Sequence, residues 1–225
     1  MLILVHTAHP QAVAHAGAGF GRLLSPGQYA RAADTAGFGI PWAADNYCFE
    51  RPIATKEERA YKQLVLEPNA ERFRAMLAAI SGLPGCLFVV APDRVADATT
   101  TFNLFREWLP EMKATGQPIA FVIQDGLTVW GWLDWQLPWD DFDCLFIGGS
   151  TEFKLGLYAE KAARMAKERG KWVHMGRVNS RKRFDYARAI GCDSVDGTKF
   201  SRWRDRWLPD ALTWHRDHLQ ERIAA

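Results

Sequence analysis

The sequence predicts an α/β chain that closes into a (β/α)8, TIM-like barrel with one βα unit degenerate or missing, built as a single domain over residues 1–225. Three observations point there. Short β-branched and aromatic runs alternate with stretches of helical period. No GxGxxG or P-loop follows any strand candidate, so the usual nucleotide fingerprints of an open doubly wound sheet, the competing architecture, are missing. Nearly every strand candidate ends in a polar or glycine signal, as expected where all the ends converge on one face of a barrel.

The elements follow in order. Leu2 to His6 is the first strand and Gly39 to Ala44 the second, the latter closing on Asp45-Asn46. Phe73, Met76, Leu77 and Ile80 then recur at spacings of three and four, which marks a helix laying one apolar stripe on a sheet. Leu87 to Ala91 runs on to Asp93, and its Leu-Phe-Val-Val core is continuously apolar, as in a parallel strand buried on both faces. Ile119 to Ile123 leads into Gln124-Asp125-Gly126, and Cys144 to Ile147 into Gly148-Gly149. Leu155, Tyr158, Ala159, Ala162, Ala163 and Ala166 form the next helical stripe, which Gly170 stops. Trp172 to Met175 ends on Gly176-Arg177. After a further stop at Gly191, the seventh strand, Ser194-Val195, ends on Asp196-Gly197.

With 48% apolar and 24% charged residues, and no run of some eighteen apolar residues, the composition is globular and excludes overall disorder and a membrane span. The first five residues lack the pattern of a signal peptide, so the expected location is the cytoplasm. Cys48, Cys86, Cys144 and Cys192 stand more than thirty residues apart, which excludes CxxC zinc or redox clusters and leaves buried thiols as the expectation. The net charge is +2, but residues 177–206 hold nine Lys/Arg against four Asp. Such a basic end suits either a phosphate-contacting surface or a solvated face.

The strand ends, taken together, carry a resemblance. Asp45-Asn46-Tyr47-Cys48-Phe49, Asp93, Ile123-Gln124-Asp125-Gly126, Gly148-Gly149 through Gly156, His174-Met175-Gly176-Arg177-Val178 and Gly191 through Gly197 are collinear with six motifs of one family. Read this way, residues 40–200 resemble the catalytic barrel of the tRNA-guanine transglycosylases, and most of all their DNA-modifying relatives, the DpdA-type deazaguanine transglycosylases of phage and bacteria. The resemblance implies Asp196 as nucleophile and Asp45 as general acid and base. It also implies Asp93, Gln124, Gly148, Gly149 and Gly176 around the base, with Phe49 and Met175 sandwiching the ring. The tRNA enzymes' zinc subdomain has no counterpart here, which shifts the expected substrate from tRNA to DNA. The expected partners are therefore DNA, with tRNA as alternative, a 7-deazaguanine base such as preQ0, and a partner protein for DNA handling; no membrane and no cofactor are expected.

The chemistry also reads from the residues. Base exchange needs one group to attack the anomeric carbon and another to protonate the departing base, roles that two carboxylates in different environments divide. Asp93 suits the N1–H and 2-amino donors of guanine. A strand-end aspartate also serves as a helix N-cap, and Gln124 and the Gly148-Gly149 pair also serve as turn formers, so the collinear set is what singles them out. Asp193 is expected to be structural. His6 and His9 would be a conceivable metal pair without a matching carboxylate cluster, so no metal is assigned. Arg177, Arg181, Lys182, Arg183, Lys199, Arg202 and Arg204 follow the last two strands and would clamp a polynucleotide backbone beside Asp196. Four tryptophans between Trp130 and Trp139 follow the Gln124 strand and are expected near the catalytic face, packing as a lid rather than contacting phosphate, because the charges around them are acidic. Two other readings stand beside base exchange: water as acceptor, giving a DNA glycosylase or nucleosidase, and a non-catalytic nucleic-acid-binding barrel.

Overall fold

The computed structural model describes residues 1–6, 13, 17, 19–24, 26–46, 70–127, 137–197 and 212–214. Eight parallel strands close into a barrel in sequence order: β1 (Leu2–Val5), β2 (Phe20–Leu24), β3 (Trp42–Ala44), β4 (Cys86–Val90), β5 (Ile119–Ile123), β6 (Cys144–Ile147), β7 (Trp172–Met175) and β8 (Ser194–Asp196). Leu4 pairs with Asp196 and seals the ring. The helices α1 (Ala32–Gly37), α2 (Ala70–Ile80), α3 (Ala98–Lys113), α4 (Thr151–Lys154), α5 (Leu157–Glu168) and α6 (Arg181–Ala189) lie between strands, with 3-10 turns at Pro26–Arg31 and Trp139–Asp141.

All seven predicted strands are present, shifted by up to three residues at their ends, and the unrecognised eighth is β2. Gly21 and Arg22 interrupt its apolar run, yet all five residues are buried. The Arg22 guanidinium turns into the helix layer, where it donates to Thr35 Oγ1 and to the Arg31 carbonyl. Consequently Asp196 stands at the end of the eighth strand, not the seventh.

Two apolar layers hold the barrel. Leu4, Leu23, Ala43, Phe88, Val90, Ala120, Val122 and Cys144 fill its interior. The alternate residues of the same strands, among them Ile3, Trp42, Phe121, Ile147, Val173 and Val195, pack outwards against helix residues such as Phe73, Phe105, Ala162 and Phe184. A bulge keeps this phase on β4: Trp42 pairs with Cys86 but Ala43 with Phe88, so Phe88 and Val90 remain inside. Helices α3, α4 and α6 begin on side-chain caps, with Asp97 accepting from Thr100 N at 2.9 Å, and Ser150 and Ser180 accepting from Phe153 N and Arg183 N. Among the described residues no helix is long and apolar enough to cross a membrane.

Candidate active site

Alternation along the strands decides which side chains reach the lumen, and the polar ones gather where the strands end. On β8, Ser194 and Asp196 point in while Val195 packs outwards; on β7, His174 points in between Val173 and Met175. Asp45 follows Ala44 of the outer layer and is therefore in phase with Ala43 of the interior. Its N–H still bonds to Leu24 O at 2.9 Å, which fixes it as an extension of β3.

Asp196 is the most supported of these groups. His174 Nε2 lies 3.0 Å from its Oδ2, and the Arg177 N–H donates to its Oδ1 at 3.2 Å. The His174 ring is fully buried, with centroids 4.6 Å from Phe146 and 5.1 Å from Phe88. Its other nitrogen, Nδ1, lies 2.8 Å from Ser194 Oγ. Asp93, buried in the loop after β4, is held by two amides. Asn46 Nδ2 donates to its Oδ1 at 2.5 Å, and Gln124 Nε2 donates to its Oδ2.

These surroundings drive the carboxylates apart. Burial, then the nearby charges of Asp196 and Asp93, push the Asp45 carboxyl well above the usual carboxylate range, against the Asn46 N–H bond to its Oδ1 at 3.0 Å. Burial also works on Asp196, but there it is outweighed, first by the His174 hydrogen bond and further by the Arg177 N–H, so its carboxyl titrates below the ordinary value. The two carboxyls are thus shifted in opposite directions, which is the kind of division that a general acid and a nucleophile use. His6, at the end of β1, belongs to the same group: burial lowers its titration and Asp196 opposes that.

Sequence reasoning missed the groups that support Asp196. His174 is the only ionisable residue in its short strand, a signal that was open to reading. Lys154, on α4, is buried and donates from Nζ to Gly176 O at 2.8 Å; burial and then the Arg177 charge lower its amine to about 8. That carbonyl belongs to the same peptide whose N–H, from Arg177, meets Asp196. A cation on the oxygen polarises the peptide and strengthens its donor. Among the described residues, two that are not glycine adopt the left-handed backbone, Ala96 (φ 62°) and Arg177 (φ 59°), and both send their N–H into this site, Ala96 to Gln124 Oε1 and Arg177 to Asp196. Each conformation costs about 1–3 kcal/mol and persists because these bonds hold it.

Two expected base contacts are corrected. Met175 lies in the outer layer, because its register partner is Val195 while His174 pairs with Ser194; the inward position on β7 belongs to His174. Gln124 has both ends of its amide engaged, Oε1 by Ala96 N at 3.0 Å and Nε2 by Asp93, so it positions Asp93 rather than meeting a base edge. Gly148 and Gly149 serve the same frame. A Cβ at 148 would stand 2.8 Å from Gln124 Nε2, and Gly149 has φ +78° with Asp125 against it. Gly176 keeps the space over Asp196 open, since a Cβ there would press on Phe146 at 2.9 Å. Phe49 and His9 lie outside the described residues.

The basic segment begins at this mouth. Arg177 donates to Gly149 O, and Arg183 reaches Thr151 Oγ1 at 3.3 Å, so these two cations tie the β6 and β7 loops together. Arg181 pairs with Asp185 at 2.9 Å, and Lys182 is exposed. Lys199, Arg202 and Arg204 lie outside the described residues. Asp193 is structural, accepting from Val173 N at 2.8 Å and pairing with Lys167 at 2.7 Å. Residues 128–136 of the tryptophan segment are likewise outside. Trp139 packs against Phe142 beneath Arg169, just before β6 and hence at the barrel end opposite the carboxylates. Among the described residues, no three His, Cys, Asp or Glu side chains form a group fit to hold a metal. In comparisons with known proteins, no family model matches the chain, and no curated protein matches it.

Proposed function

We propose that the protein is a DNA guanine transglycosylase that exchanges guanine for a 7-deazaguanine through a glycosyl-enzyme ester on Asp196. The observation that carries this reading is the convergence of Asp45, Asp93 and Asp196 at one end of the lumen, with Asp196 held by His174 and the Arg177 N–H while burial and the neighbouring carboxylates raise the titration of Asp45. An Asp196 oxygen attacks C1′ of the nucleotide, the bond from C1′ to the base nitrogen breaks, and Asp45 gives its proton to the departing guanine. Guanine then leaves. Asp45, now a carboxylate, takes the proton from the incoming deazaguanine, whose nitrogen attacks C1′ and releases Asp196. Proton and charge balance over the two steps, and no redox partner is needed. Mass spectrometry of nucleosides from DNA incubated with the protein and preQ0 tests the reading. Exchange supports it, abasic sites would replace it with a glycosylase, and unchanged DNA would leave only a binding role.

Because Asp196 must be ionised and Asp45 protonated, kcat/KM is expected to follow a bell in pH. Its acid limb falls as pH drops through the lowered Asp196 titration, and its alkaline limb falls as pH rises through the raised one of Asp45. The Asp45→Asn variant should lose the alkaline limb along with most of its rate, so an unaltered bell would remove Asp45 from the acid role.

The basic segment supports DNA over a free nucleoside, since only a polynucleotide offers phosphates to it. Binding should weaken steeply with salt, and replacing Lys182 and Arg181 with Ala should flatten the slope by about one for each phosphate no longer neutralised. Fluorescence anisotropy at a series of salt concentrations measures this; an affinity independent of salt would favour a nucleoside substrate.

A further inference from the structure

The bonds to Asp196 continue beneath it. Trp172 Nε1 donates to Ser194 Oγ at 2.8 Å, Ser194 Oγ lies 2.8 Å from His174 Nδ1, and His174 Nε2 lies 3.0 Å from Asp196 Oδ2. Ser194 and His174 are fully buried, so protein groups rather than bulk water decide how these protons are arranged. An indole nitrogen only donates, and a carboxylate only accepts. With both ends fixed, the middle has one arrangement that uses every donor: the Ser194 hydroxyl accepts from Trp172 and gives its own proton to Nδ1, and Nε2–H is left to face Asp196. The burial of Ser194 at the bottom of the column also excludes it as a nucleophile, although serine, histidine and aspartate stand in line.

We infer that Trp172, Ser194 and His174 form a one-way hydrogen-bond relay that locks His174 as the neutral Nε2–H tautomer and makes it the positioning residue of Asp196. Phe88 and Phe146 pack against the ring at tilted angles in that pose. The relay steadies Oδ2 while the Arg177 N–H steadies Oδ1, so the carboxylate is aimed before any sugar arrives. Its effect on catalysis rests on the function proposed above; the tautomer does not.

Two measurements on the full chain keep these apart. Long-range nitrogen–proton correlation on histidine-labelled protein at neutral pH should show His174 as Nε2–H, and Ser194→Ala, which takes the donor from Nδ1 but leaves Nε2–H facing Asp196, should move the Nδ1 resonance toward that of an unbonded ring nitrogen with the circular dichroism unchanged. An Nδ1–H ring or an imidazolium in the wild type would overturn the relay, whatever the activity. If DNA is exchanged, His174→Leu should move the acid limb of kcat/KM upwards by about one pH unit, one donor to the carboxylate having been removed. His174→Gln, which keeps an N–H, should move it back. The other charged groups facing Asp196 are His6 after β1, Asp45 after β3, Asp93 after β4, Lys154 on α4 and Arg177 after β7, and all remain in both variants. Equal acid limbs in the Leu variant and the wild type would overturn the positioning role. A correct tautomer in a protein that exchanges no base would leave the relay standing and remove the proposed function.

Discussion

Replacing Asp196 with asparagine is expected to bring base exchange down to background and to abolish any covalent adduct with DNA. The amide is close to the carboxylate in shape, but its single oxygen can accept from only one of the two donors, His174 Nε2–H or the Arg177 N–H, and its NH2 faces the other, so a thermal melt must accompany the assay. What it loses is the anionic oxygen that attacks C1′. The other two carboxyls in this lumen are poorly placed to substitute. Burial and the neighbouring carboxylates raise the titration of Asp45, which disfavours its anionic form, and Asp93 already accepts from Asn46 and Gln124. Because the Asp196 carboxyl titrates below its ordinary value, its charge favours the folded state at neutral pH, and the melting temperature should fall modestly when that charge is removed. Denaturing gels of the protein with a guanine-containing oligonucleotide, read beside nucleoside mass spectrometry, check both expectations. Wild-type turnover in Asp196→Asn would remove it as the nucleophile.

The strand ends were readable in the sequence because polarity changes abruptly there. Asp45, Asp93 and Asp196 each follow a run of apolar residues, and a barrel brings such positions together. The phase of the strands was not readable. A parallel strand buried on both faces shows no alternation of polar and apolar residues, so nothing in Trp172-Val173-His174-Met175 says that Met175 turns outwards. Once Asp196 is known to face inwards, the pairing of Ser194 with His174 and of Val195 with Met175 settles the matter, but that register is a tertiary fact. Strand β2 was hidden for a related reason. A buried arginine reads as surface until Thr35 and the Arg31 carbonyl are seen to receive its guanidinium. Gln124 was placed beside the base by its motif, and only the Ala96 N–H, which needs an acceptor, shows which way its amide points.

Replacing Asp93 with alanine is expected to cut exchange at guanine by about 10²–10⁴-fold while changing DNA affinity much less. The carboxylate sits between Asn46 and Gln124, one donor on each oxygen, and a carboxylate oxygen has the capacity to accept a second. That second position on each oxygen matches the N1–H and the 2-amino group of guanine, whereas neutral adenine offers neither. Without the carboxylate both guanine donors would be left unpaired in a closed pocket, at about 1–3 kcal/mol for each. The amide nitrogens of Asn46 and Gln124 would lose their shared acceptor as well, so a thermal melt must accompany the kinetics to separate a loosened pocket from a missing hydrogen bond to the base. The Asp93→Asn variant makes that separation sharper. It fills the same volume, but it turns one end of the group into a donor facing donors, so it should fold normally and still fail on guanine. The proposed phosphate contacts lie on the basic segment after β7, and binding of a single-guanine oligonucleotide should therefore persist in both variants. If Asp93→Asn processes guanine at the wild-type rate, or if the wild type prefers a base without those two donors, the guanine assignment fails even though the barrel and the Asp196 nucleophile stand.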